Sequence, residues 1–112
     1  MDFDPNKPIY LQISDAICEQ ILLGILSPEE RIPSVREYGA SIGVNPNTVV
    51  RSYERLTDTG IIYNKRGIGY FVSADARDLV LESQRKAFIE EEVPKFVKRM
   101  ALLGIKPEEI FK

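Results

Sequence analysis

The sequence predicts an α+β fold in which helices come first, a small β-hairpin follows and a helical segment closes the chain. Three observations predict it. Apolar residues recur at helical spacing between Ile9 and Ile21 and again between Val49 and Leu56. Two runs of β-branched and aromatic residues, Ile61–Tyr63 and Tyr70–Ser73, flank a basic, glycine-containing loop. A third apolar stripe at helical spacing runs from Leu81 to Leu103.

Residues 1–7 read as a flexible lead. Pro8 opens the first helix, where its missing N–H costs nothing, and Gly24 ends it. Ile9, Ile13, Ala16, Ile17, Gln20 and Ile21 form one stripe. Leu11, Cys18 and Leu22 form a second, which needs a cover of its own, either the C-terminal region or another subunit. Ser27–Glu30 reads as a turn and Arg31-Ile32 as a very short strand. Ser34-Val35-Arg36-Glu37 has the pattern of a capping box, which starts a short helix to Ile42, and Gly43 breaks it. Asn45 caps the next helix, Pro46 fits its first position, and the helix runs to Thr59 before Gly60. Val49, Tyr53 and Leu56 share its inner face. Two helices joined by a tight turn and followed by a hairpin with loop Asn64–Gly69 make a winged helix-turn-helix, assigned to residues 1–74.

Asp75 stands where it can cap a long helix in the remaining segment, 75–112. Pro94 should kink or split that helix, Gly104 should end it, and Pro107 should open a final turn. This segment is too small for a core of its own. Its apolar residues, among them Phe88, Ile89, Val93, Phe96, Val97 and Met100, must fold back or meet a second copy, and both are expected.

Composition narrows the function. The chain has 112 residues, one cysteine and no histidine, which excludes an internal disulfide framework, a Cys/His zinc site and imidazole catalysis. No run of about 18 apolar residues occurs, and the acidic start Met1–Asp4 has no signal-peptide character, so the expected location is the cytoplasm. The net charge is −2, but its distribution is uneven. Residues 31–70 carry six basic side chains against three acids, whereas residues 1–30 carry one against six. Because salt screens charge beyond about 10 Å, the local excess governs attraction to phosphate.

The second helix of the motif offers Asn47, Thr48 and Arg51 on the side away from Val49, Tyr53 and Leu56. These side chains read base edges in a major groove: arginine bonds guanine, asparagine bonds adenine, and threonine reaches a base or phosphate. Asn45 doubles as helix cap. Arg36 sits in the first turn of the preceding helix, beside Ser34, a placement that suits a contact with the DNA backbone. Lys65, Arg66 and Gly67 form a basic hairpin tip for the minor groove or its phosphates. Two competing readings are weaker. A protein-interaction module on the same scaffold would show an apolar or acidic outer face. An enzyme would need paired acid and base groups, whereas Glu90, Glu91 and Glu92 are consecutive and fan out around a helix. Cys18 as a redox sensor is weaker than Cys18 as a small apolar contact.

The motifs Pro8–Ile13, Ile32–Arg36, Asn45–Val49 with Tyr53, Leu56 and Gly60, and Arg66–Val72, in this order and spacing, closely resemble the GntR family over residues 8–73. The Asn45-Pro46-Asn47-Thr48 form and the short tail resemble its YtrA-like subfamily. The resemblance implies a bacterial transcription regulator, a repressor in the first instance. It would bind a palindromic double-stranded DNA operator as a homodimer held by C-terminal helices, without a cofactor. It also implies DNA contacts at Ser34, Arg36, Asn45, Asn47, Thr48 and Gly67, and any small-molecule effector would have to bind at the dimer interface or be absent. Two positions depart from the family pattern. Glu29 replaces the usual glycine after Pro28, which predicts a different turn type, and Tyr38-Gly39 replaces Leu-Ala, with Gly39 lowering helix propensity by about 1 kcal/mol.

Overall fold

The computed structural model describes residues 1–111. They form two compact units, Met1–Val80 and Leu81 onward. In the first, α1 (Ile9–Leu22), α2 (Val35–Ile42) and α3 (Pro46–Asp58) precede an antiparallel hairpin of β1 (Ile62–Lys65) and β2 (Gly69–Val72). Helix α4 (Ala76–Ala87), a π-helical turn (Phe88–Glu92) and α5 (Val93–Leu102) then make a 27-residue helical run, and a 3₁₀ turn (Pro107–Glu109) ends the order. The fold is a winged helix-turn-helix followed by a C-terminal helix.

The first core is built from one face of each element. Ile13, Ile17 and Ile21 of α1, Val49, Tyr53 and Leu56 of α3, Ile62 and Val72 of the hairpin, and Ala76 and Val80 of α4 are all buried. Cys18 joins them, so part of the second stripe of α1 is covered within the chain itself. Burial pushes the Cys18 thiol up to about 11, with Asp15 adding to the shift, which favours the protonated thiol. Tyr53 sits at the centre. Its hydroxyl donates to the Pro33 carbonyl at 2.6 Å, and its ring meets Tyr38 and Tyr70 edge to face at 6.3 and 5.0 Å.

Residues 1–7 are more ordered than expected. The Gln12 side chain donates to the Asp4 and Lys7 carbonyls and accepts from the Asp4 N–H, Lys7 pairs with Asp15, and Phe3 packs against the core. The lead is therefore pinned to the first turns of α1 rather than flexible. Pro8 occupies the cap position of α1, just outside it. The short strand at Arg31 reduces to a single bridge to Phe71, extended by Ile32 N–H to Tyr70 O and Glu29 N–H to Val72 O.

The turn at Glu29 keeps a glycine-like backbone without a glycine. Glutamate was expected to force another turn type, yet Glu29 takes φ +67, the left-handed conformation usual for glycine. Its N–H bond to Val72 O at 2.8 Å and its carboxylate, which accepts from the Tyr63 hydroxyl, hold it there.

In the second unit the helix changes character before Pro94, as predicted. Proline has no N–H to give and its ring crowds the carbonyl four residues back. The π turn Phe88–Glu92 absorbs both, and Pro94 falls in the first turn of α5. Met100 is buried and Val93 half-buried, whereas Phe88, Ile89, Phe96 and Val97 are about half exposed, at 48–58%. An apolar groove of about 770 Å³ is lined by Phe88, Val93, Phe96, Val97, Met100 and Phe111, among others, with Glu92 the one charged side chain among the described residues.

Candidate nucleic-acid interface

The helix-turn-helix is fixed by caps at both helix starts. The Ser34 hydroxyl accepts from the Glu37 N–H at 3.1 Å and the Glu37 carboxylate accepts from the Ser34 N–H at 3.2 Å, the reciprocal box expected. These two bonds, the Ser34 backbone first, hold the Glu37 carboxyl below the usual range. Glu37 is thus spent on the cap, and Arg36 beside it stays exposed and unpaired among the described residues.

Between the helices, Gly43 adopts φ +72 and closes α2. Gly39 permits the tight approach: a Cβ there would stand 2.6 Å from the Val44 carbonyl oxygen. Its low helix propensity is thus the counterpart of a close turn. Asn45 caps α3 by accepting from the Asn47 N–H at 2.9 Å, with Pro46 in the first turn. Val49, Tyr53 and Leu56 are 0–2% exposed. With that face buried, Asn45, Asn47 and Arg51 are exposed and Thr48 is half-buried. The outward line inferred from the sequence is therefore a solvent-facing polar surface at the start of α3.

Arg51 does not pair with Glu54. Its guanidinium lies 4.2 Å from the centroid of the Tyr10 ring on α1, and Ser52, the next residue, donates from its hydroxyl to the Tyr10 carbonyl at 2.7 Å. Tyr10 was not among the residues singled out from the sequence, because helical periodicity reports which face is buried and not which aromatic supports which charge.

The hairpin registers Ile62 with Val72 and Lys65 with Gly69, so the strands run further toward the tip than expected and leave a three-residue loop, Arg66–Ile68. The loop closes through Ile68 N–H to Lys65 O at 2.9 Å, with Gly67 at φ +79. Arg66 and Gly67 are exposed at the tip, while the Lys65 ammonium lies 5.0 Å from the Phe71 ring. Arg31 was also missed. A Cβ at Gly69 would stand 2.9 Å from its Nε, so Arg31 lies against the tip end of the hairpin, where Gly69 pairs with Lys65. A glycine inside a strand is the signal of such a close approach.

Among the described residues no group of three carboxylate or thiol side chains is arranged to hold a metal ion, and no helix is long and apolar enough to cross a membrane.

Comparison with known proteins agrees with this geometry. The family described as bacterial regulatory proteins, gntR family, matches residues 9–72. The chain is 37% identical to the HTH-type transcriptional regulator YhcF of Bacillus subtilis over 96% of this chain and 88% of the relative. It is 34% identical to the HTH-type transcriptional repressor YtrA of the same species, over 98% and 85%. A solved GntR-family regulator from Bacteroides thetaiotaomicron superposes with a TM-score of 0.74 at 51% identity, over 91% of this chain and 88% of that one. The DNA-binding domain of AraR, solved in complex with operator ORR3, superposes with a TM-score of 0.58 at 29% identity, over 65% and 86%. The chain belongs to the GntR family of bacterial regulatory proteins and is a helix-turn-helix transcriptional regulator of the YtrA-like kind, not an enzyme.

Proposed function

We propose that the protein is a cytoplasmic repressor that binds a two-fold symmetric double-stranded DNA operator as a homodimer. The observation that carries this reading is the exposed start of α3, where Asn45, Asn47 and Arg51 face outward from a fully buried inner stripe, with the half-buried Thr48 at their flank. Asn47 and Thr48 read base edges in the major groove, while Ser34, Arg36 and the wing residues Lys65, Arg66 and Gly67 set the register on the backbone. The operator complex of AraR, and the repressor role of YtrA, support it. Phe88, Ile89, Val93, Phe96, Val97 and Met100 form the self-association surface. Two-fold symmetry then sets the half-sites about one helical turn or more apart.

The test is binding of the full chain to the intergenic DNA upstream of its own gene, titrated against salt with an unrelated duplex as competitor. Competitor-resistant binding with two-fold symmetric protection is expected. Binding that vanishes equally for both duplexes as salt rises would leave only generic attraction to phosphate and would remove the operator reading.

A further inference from the structure

We infer that Tyr10 is a positioning residue for DNA binding: its ring holds the Arg51 guanidinium at the flank of α3 for contact with a backbone phosphate. The inference rests on the DNA-binding reading proposed above and assigns Arg51 a backbone role rather than a base-reading one.

Two independent contacts join Tyr10 to adjacent residues of α3. The ring carries the Arg51 guanidinium at 4.2 Å, and the carbonyl of the same residue accepts from Ser52 Oγ at 2.7 Å and from Ser14 Oγ at 3.0 Å. Ser52 and Ser14 are both buried, so the backbone that bears the ring is fixed relative to α3. Among the described residues no hydrogen bond or ion pair engages this guanidinium. The five N–H donors lie in the plane and remain available, whereas a carboxylate partner would use two of them. Glu54 and Asp58 line the same shallow concavity as Arg51 and Arg55, yet among the described residues neither acid is within ion-pair distance of Arg51.

The direction of the side chain selects the ligand. Arg51 starts opposite the buried stripe, in line with Asn47. Stacking on α1 draws it from that line toward the side of α3 that carries Ser52. The outward line of a recognition helix meets base edges, and its flanks meet the phosphates that border the groove. A fork with free in-plane donors suits a phosphate in that position.

The test is a salt titration of the full chain on the upstream duplex and on an unrelated one, for wild type, Arg51→Ala, Tyr10→Leu, Tyr10→Phe and the double variant Tyr10→Leu/Arg51→Ala. Leucine keeps apolar bulk without a π face, and phenylalanine keeps the face. Arg51→Ala is expected to weaken both duplexes about tenfold and to flatten the salt slope by about one unit. Tyr10→Leu should weaken both several-fold, Tyr10→Phe should match wild type, and the double variant should be no weaker than Arg51→Ala. Additive losses in the double variant, a loss with Tyr10→Phe equal to that with Tyr10→Leu, or a loss confined to one base pair of the operator would each overturn the inference. Equal binding of wild type to the two duplexes would remove the operator reading instead, and the slopes would still decide the role of Arg51.

Discussion

Single residues carry constraints that pattern alone does not reveal. Glu29 is one: nothing in Ser27-Pro28-Glu29-Glu30 announces a left-handed glutamate, and the φ of +67 follows from bonds to Val72 and Tyr63 that are distant in sequence. A left-handed L-residue costs roughly 1 kcal/mol, which glycine avoids, and the hydrogen bond from Tyr63, which glycine could not accept, lies on the surface where water replaces it. Glu29→Gly should therefore stabilise the protein by about 0.5–1 kcal/mol. A urea midpoint equal to or below that of wild type would refute the strain. Arg36 illustrates the opposite case, legible from its position beside a capping serine. With Glu37 committed to the cap, the Arg36 charge is free for phosphate. Arg36→Ala should weaken binding to every DNA sequence and flatten the salt slope by about one unit, and an unchanged slope would exclude the phosphate role.

At the scale of elements, the sequence was most informative where a backbone group needs a specific side-chain partner. Ser34, Glu37, Asn45 and Pro46 mark the starts of α2 and α3 because orphan N–H groups must be met locally, and the caps formed where expected. The folded Glu37 carboxyl lies below its ordinary range, so its contribution is present above the unfolded value and is lost as pH falls through the folded one. Glu37→Gln should consequently show a shallower loss of stability on acidification than wild type; parallel acid denaturation profiles would exclude this. The turn between the helices depends on space rather than bonding. At Gly39 a Cβ meets the Val44 carbonyl oxygen at 2.6 Å, and a branched side chain would also strike Pro46, 3.5 Å away. Gly39→Val should cost about 1–3 kcal/mol despite valine's better helix propensity, read as a lowered melting temperature. The π turn at Phe88–Glu92 was legible only as a disturbance near Pro94. Periodicity locates the conflict, but the form of its relief depends on which hydrogen bonds the chain can still make.

For the molecule as a whole, the outstanding demand is the apolar surface of the second unit. Large apolar residues of the first unit lie mostly inside its core, whereas Phe88, Ile89, Phe96 and Val97 are 48–58% exposed in a segment of about 30 residues. The stripe was legible from spacing, but its division was not: Met100 is buried within the single chain while Phe96 is not, and periodicity does not say what covers each position. A segment this small cannot close a core alone, and a second copy offers the same apolar face to its partner. Phe96 is the residue on which the dimer reading can be tested most sharply. An aspartate there would place a charge, and by symmetry two like charges, in the shared apolar interface, at a cost of about 3–5 kcal/mol or more. Since each 1.4 kcal/mol is a factor of ten, the dimer should weaken by roughly 10²–10³-fold or more. Phe96→Asp should therefore sediment as a monomer at concentrations where wild type and Phe96→Leu sediment as dimers, and it should lose operator affinity while its far-UV circular dichroism stays unchanged. A Phe96→Asp protein that remains dimeric at those concentrations would move self-association away from this face of α5.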